Sequence, residues 1–192
     1  MKAVMISIQP QWCELILSGK KTLEVRKTRP KLETPFKCYI YCTLAGSNEL
    51  FHETLKGDVA AWNRGNWADR KGNVIGEFVC DYISIFRPKS ITCDSAIKKA
   101  SCLTVQGLID YAGNKNHLFG WHISDLKIYD KPKMIHTFHL SCPYKLPDGS
   151  RMDVPCPCDK YNWGFDEKTG LEYCLRRLGN APQSWCYVEE LR

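Results

Sequence analysis

Nowhere in the 192 residues does an apolar run approach the length needed to cross a bilayer, so no helical membrane span is expected. The N-terminal MKAVMISIQPQW has one basic residue and a short alternating apolar run ended by proline, and so lacks the long apolar core of a secretory signal. These two absences make the cytoplasm the expected location. Internal repeats and low-complexity tracts are also missing, which excludes repeat arrays. There is no glycine-rich phosphate cradle, no metalloprotease helix motif and no nucleophile elbow, and no cofactor is implied.

What is present is enough apolar material, 44% of residues, to bury a sizeable core in one domain with an appendage. The eleven cysteines are an odd number, and six of them (Cys13, Cys38, Cys42, Cys80, Cys93 and Cys102) fall mostly within helix or strand patterns. In a reducing compartment such thiols behave as small buried hydrophobes. The formal net charge is +6, and the window Lys20 to Lys31 holds six basic residues against the single carboxylate of Glu24. A basic patch this local attracts polyanions, nucleic acid first among them. Taken without its context, it reads better as a lysine-blocked, exposed edge strand.

Periodicity supplies that context. Val4, Ile6 and Ile8 alternate in a strand over residues 2–8 that Gln9 and Pro10 end. Trp12, Leu15 and Ile16 then mark one stripe of a helix, with Gly19 as its left-handed terminator. Residues 22–27 return to period two, with Leu23 and Val25 inward and Thr22, Glu24 and Arg26 sharing the other face.

The run KCYIYCT predicts a strand buried on both faces, and 44–73 a long polar segment with a short helix near Val59 to Trp62. Residues 74–86 read as one strand, with Ile75, Val79 and Ile83 on one face and Phe78, Cys80 and Tyr82 on the other. Gly76 within it marks a bulge or a close backbone approach. Asp94 or Thr92 is the expected cap of a helix over 95–101, and Thr104 of a second helix through Tyr111, stopped by Gly113. Strands are expected over 117–129 and 134–140, broken at Pro132, then a helix from Gly170 to Arg177 and a strand-like end in APQSWCYVEEL. This order has no βαβ rhythm and fits a mostly antiparallel barrel with helices at its ends.

The ordered string of strand, Gln-Pro, short helix and S-G-K-K-T-L-E-V-R resembles the ASCH domain of the PUA-like β-barrel superfamily. Its pattern G-x-K-x-x-E-x-R is matched by Gly19, Lys21, Glu24 and Arg26. The resemblance continues through VIGEFVCD and YAG…WHISDLKIYDKP, so it covers residues 1–140 and leaves 141–192 as a Cys-rich C-terminal extension.

It implies an antiparallel barrel with a cleft lined by the motif side chains, binding RNA or a modified nucleoside. The expected ligand-binding residues are Lys21, Glu24 and Arg26, with Lys20 and Lys27 as electrostatic support and Tyr111 or His122 as stacking partners. One branch of the family is similar to amidohydrolases of N4-acetylcytidine, with Lys21 in the place of their lysine. Glu24 occupies the place of their threonine, and residues 95–111 contain no glutamate. If there is catalysis, Lys21 and Glu24 are its candidates. A basic edge that meets an acidic protein is the remaining alternative.

In the extension, Cys142, Cys156, Cys158 and Cys174 have a zinc-like chemistry, with His136, His139 and Cys186 near them. C-P-C is too tight for a zinc knuckle, and no second knuckle follows. Free thiols are therefore expected there, and no metal.

Overall fold

Lys2–Ile8 forms strand β1, and its alternation serves two cores at once. Val4, Ile6 and Ile8 enter one apolar cluster, while Ala3 and Met5 enter another on the opposite face. Strand β3, Phe36–Cys42, does the same, with Cys38, Ile40 and Cys42 on the first side and Tyr39 and Tyr41 on the second. Each fully buried aliphatic chain of this kind contributes about 1.5–3 kcal/mol. The computed structural model describes residues 1–44, 70–92, 95–140, 163–166, 171–174, 178 and 180–191. The helix expected near Val59 to Trp62 and the cysteines at 142, 156 and 158 lie outside them.

The remaining elements, in chain order, are α1 (Pro10–Leu17) and β2 (Leu23–Arg26) before β3; β4 (Asn73–Cys80), β5 (Ile83–Phe86), α2 (Ala96–Ser101), α3 (Val105–Ala112), β6 (Leu118–His122) and β7 (Ser124–Met134) follow it. Beyond these come β8 (Trp163–Asp166), β9 (Leu171–Cys174) and β10 (Trp185–Glu189). The fold is mostly β, with a five-stranded sheet in the order β10-β1-β3-β4-β7, a three-stranded sheet in the order β2-β6-β5, and the β8-β9 hairpin. All pairings are antiparallel except β1 with β3. The two larger sheets share a core, in which Trp121 of β6 lies fully buried beside Ile6, Ile40 and Phe78. A third cluster, including Val25, Leu108 and Leu118, packs α3 on the smaller sheet. No helix among the described residues is long and apolar enough to cross a membrane.

Several local expectations are corrected. Residues 74–86 are two strands in different sheets, interrupted at Asp81 and Tyr82. Register shifts along β4 bring Ile75, Phe78 and Cys80 into one core, so simple alternation does not hold there. A Cβ on Gly76 would lie 2.6 Å from the Lys127 carbonyl, the close backbone approach its position suggested. Pro132 does not end β7, because β7 is a sheet edge and pairing with β4 skips from Ile128 to Lys133. Residues 135–137 form a single 3-10 turn, and the strand expected over 134–140 is reduced to isolated bridge positions, Leu140 pairing with Val188. Ser95 caps α2, accepting from the Ile97 N–H. Leu171–Cys174 is strand, since pairing with β8 overrides the helical pattern there.

Candidate functional site

Pro10 at the first position of α1 needs no N–H partner, and Gly19 at φ +71° ends the helix in the left-handed region open to glycine. The chain then doubles back. The Lys21 N–H donates to the Leu15 carbonyl and the Thr22 N–H to the Ala100 carbonyl, which ties the turn to both α1 and α2. β2 starts there, and all four of its residues are buried. The exposed, lysine-blocked edge is therefore not what forms.

Burial changes the electrostatics. Lys21, Glu24 and Arg26 are 2%, 6% and 8% exposed, and a charge that far from water must be paired. The Lys21 ammonium donates to the Ser101 carbonyl at 2.8 Å and the Leu23 carbonyl at 3.0 Å, and lies 3.4 Å from Glu24 Oε2. Ser101 is the last residue of α2, so the lysine satisfies a helix-end carbonyl. Arg26 Nη2 donates to the Ser7 carbonyl at 2.6 Å and Nη1 to Ser184 Oγ at 3.3 Å. Its Nε sits 3.0 Å from Glu24 Oε1, close enough for an ion pair, although that N–H is not aligned for a hydrogen bond. Glu24 is thus held from both sides, one oxygen per cation.

These three side chains line an open cavity of about 540 Å³. Ser7, Gln9 and Trp12 come from the end of β1 and the start of α1, Leu103, Gly107 and Tyr111 from α3 and the residue pair before it, and Gln183 from the approach to β10. The Lys21 ammonium is 5.3 Å from the Trp12 ring centroid. Lys27, exposed at the rim, lies 5.0 Å from the Tyr111 ring centroid. Burial pushes the Tyr111 phenol up; the Arg26 charge opposes that shift and the Glu24 charge adds to it.

Of the residues singled out in the sequence, Lys21, Glu24, Arg26 and Tyr111 meet at the cavity and Lys27 stands beside it. Lys20 is exposed in the turn, its carbonyl accepting from the Cys102 thiol. His122 lies elsewhere: its Nδ1 is 2.6 Å from Asp81 Oδ1 and its ring stacks on Tyr82 at 4.5 Å. Sequence reasoning missed Ser7, Gln9, Gln183 and Ser184, which no spacing connects to the motif. Among the described residues, no group of three or more His, Cys, Asp or Glu side chains is gathered to hold a metal.

No family model matches the chain, and neither does any curated protein. Among solved structures, it is similar to ASCH from Zymomonas mobilis, at 20% identity over 68% of this chain and 73% of that one, with a TM-score of 0.48. It is similar also to a tyrosine-to-phenylalanine mutant of that protein, at 20% identity, 70% and 77% coverage and a TM-score of 0.49. A serine-to-alanine mutant gives 19% identity, 69% and 73% coverage and a TM-score of 0.47. ASCH is also the family that the motif at Gly19, Lys21, Glu24 and Arg26 resembles.

Proposed function

We propose that the chain is an ASCH-type binding protein whose cavity takes a nucleobase, presented as a modified nucleoside or as an exposed base of RNA. The observation that carries this reading is the burial of the Lys21, Glu24 and Arg26 group in the wall of an open cavity that Trp12 and Tyr111 also line. Buried charges fix hydrogen-bond donors in place, and aromatic faces supply sequence-tolerant stacking. Lys27 and Lys20 sit on the exposed side, where phosphates of a longer strand would meet them.

Binding is favoured over amide hydrolysis by the state of Lys21. Its Nζ donates to two carbonyls and lies 3.4 Å from the Glu24 carboxylate, contacts that tie the group into the wall rather than free it for attack on a ligand. Titration calorimetry with free nucleosides and with a short single-stranded RNA tests the reading. Tyr111→Ala is expected to weaken binding by about 1–3 kcal/mol if the ring stacks on the base. Lys27→Ala is expected to lower the salt slope for RNA by about one and leave nucleoside affinity unchanged. Failure of the wild-type protein to bind any nucleoside or RNA overturns the reading.

A further inference from the structure

We propose that Gln183 determines which base the cavity accepts: its side-chain amide meets the hydrogen-bonding edge of the base, while Arg26 donates to a base carbonyl. This rests on the nucleobase reading above and names the ligand class within it, the bases that carry a ring carbonyl.

The backbone around Gln183 is clamped on both sides. Ser7 Oγ donates to the Pro182 carbonyl at 2.6 Å, the Ser7 N–H donates to the Ser184 carbonyl at 2.9 Å, and Ser184 Oγ receives Arg26 Nη1. The residue between these tethers lines the cavity, yet its side chain is exposed and makes no hydrogen bond to any described residue. A fixed backbone carrying an uncommitted amide is what a reading side chain requires, since one amide offers both donor and acceptor. The other amide of the cavity differs: Gln9 Oε1 already accepts from Gln11 Nε2 at 2.6 Å.

The charged groups divide the same way. Lys21 has two of its three donors on carbonyls, and Glu24 has a cation on each oxygen. Arg26 hydrogen-bonds through two of the five N–H groups of a guanidinium, and its buried Nε has no aligned acceptor. Among the three buried charged side chains, Arg26 therefore keeps the most unused N–H groups, and these call for an acceptor on the ligand. Cytosine, uracil and guanine offer a carbonyl oxygen with two lone pairs, able to accept from two N–H groups of one guanidinium; adenine offers only ring nitrogens with one lone pair each.

Calorimetry of cytidine, uridine, guanosine and adenosine against wild type, Gln183→Leu and Gln183→Glu tests this. In wild type, the carbonyl-bearing nucleosides are expected to bind about tenfold tighter than adenosine. Gln183→Leu should weaken them by about tenfold. Gln183→Glu, which only accepts, should move the cytidine-to-uridine ratio about tenfold toward cytidine, because cytidine offers an exocyclic amine where uridine offers a second carbonyl. Thermal melting verifies that both variants fold, as expected for an exposed side chain. Adenosine binding as tightly as the others, or a cytidine-to-uridine ratio unmoved in Gln183→Glu, overturns the proposal while the nucleobase reading stands. No binding of any nucleoside by wild type overturns both.

Discussion

Glu24 and Glu77 are built from similar ingredients and do different work. Each carboxylate is held by a lysine and a second donor: Lys21 and Arg26 around Glu24, Lys37 at 3.3 Å and the Tyr129 hydroxyl at 2.5 Å around Glu77. The Glu24 side chain is 8% exposed at a cavity wall, whereas the Glu77 side chain is 19% exposed and its lysine partner 29%. Asp81, paired with His122, extends the series to 42%. Chemistry that looks alike on paper is therefore ranked by access to water, because removing one partner of a buried pair leaves an uncompensated charge while solvent compensates an exposed one.

That ranking breaks first at Glu24. Glu24→Ala leaves two cations buried without a counter-charge and is expected to cost about 3–5 kcal/mol in chemical denaturation. A loss under about 1 kcal/mol would show that water enters the cavity wall freely. Lys21→Met keeps the chain length but leaves the Ser101 and Leu23 carbonyls without their donor and Glu24 with Arg26 alone; the expected loss is about 3 kcal/mol in the same assay.

At Glu77 the effect is smaller and depends on pH. Partial burial alone would raise its pKa, but the hydrogen bond from Tyr129 and the charge of Lys37 outweigh that, and the net direction is down. Burial raises the Tyr129 phenol, and its hydrogen bond to Glu77 raises it further. A depressed carboxylate stabilises the fold above its unfolded value, about 4.3, and that stability is lost as pH falls through the folded value. A raised phenol stabilises the fold below its unfolded value, about 10, and that stability is lost as pH rises through the folded one. Tyr129→Phe is accordingly expected to cost about 1–2 kcal/mol near neutral pH and to flatten the alkaline flank of the stability profile. An unchanged alkaline flank would show that Tyr129 is not linked to folding in this way.

The two clusters also differ in how far the sequence reveals them. Lys21, Glu24 and Arg26 lie within six residues, so helix end, turn and strand periodicity are enough to bring them together. Their partners are remote: Ser7, Ser101 and Ser184 stand 19, 80 and 158 positions from the residues they bind. The Glu77 cluster joins β3, β4 and β7, with Tyr129 52 positions away, and strand pairing alone assembles it. Alternation correctly predicted the two-faced burial of β3, and in β1 it found the Val4, Ile6 and Ile8 face but not the burial of Ala3 and Met5 opposite. It failed over 74–86, where the chain changes sheets at Asp81, and at His122, whose partners Asp81 and Tyr82 arrive from that same break.

The smallest effect is expected at that break. Asp81 loses some solvation on folding, which would raise its pKa, but the hydrogen bond with His122 more than offsets this and the net direction is down. Its stabilisation is thus present above an ordinary aspartate value of about 3.9 and lost as pH falls below it. With the side chain 42% exposed, solvent screens most of the pair, so Asp81→Asn should cost less than about 1 kcal/mol at neutral pH. In a chain of this size that moves the melting temperature by under about 4 °C. A shift as large as that of Glu24→Ala would mean that exposure does not rank these carboxylates. The Asp81–His122 pair, rather than the stacked Tyr82 and His122 rings, would then be what holds the junction of the two sheets.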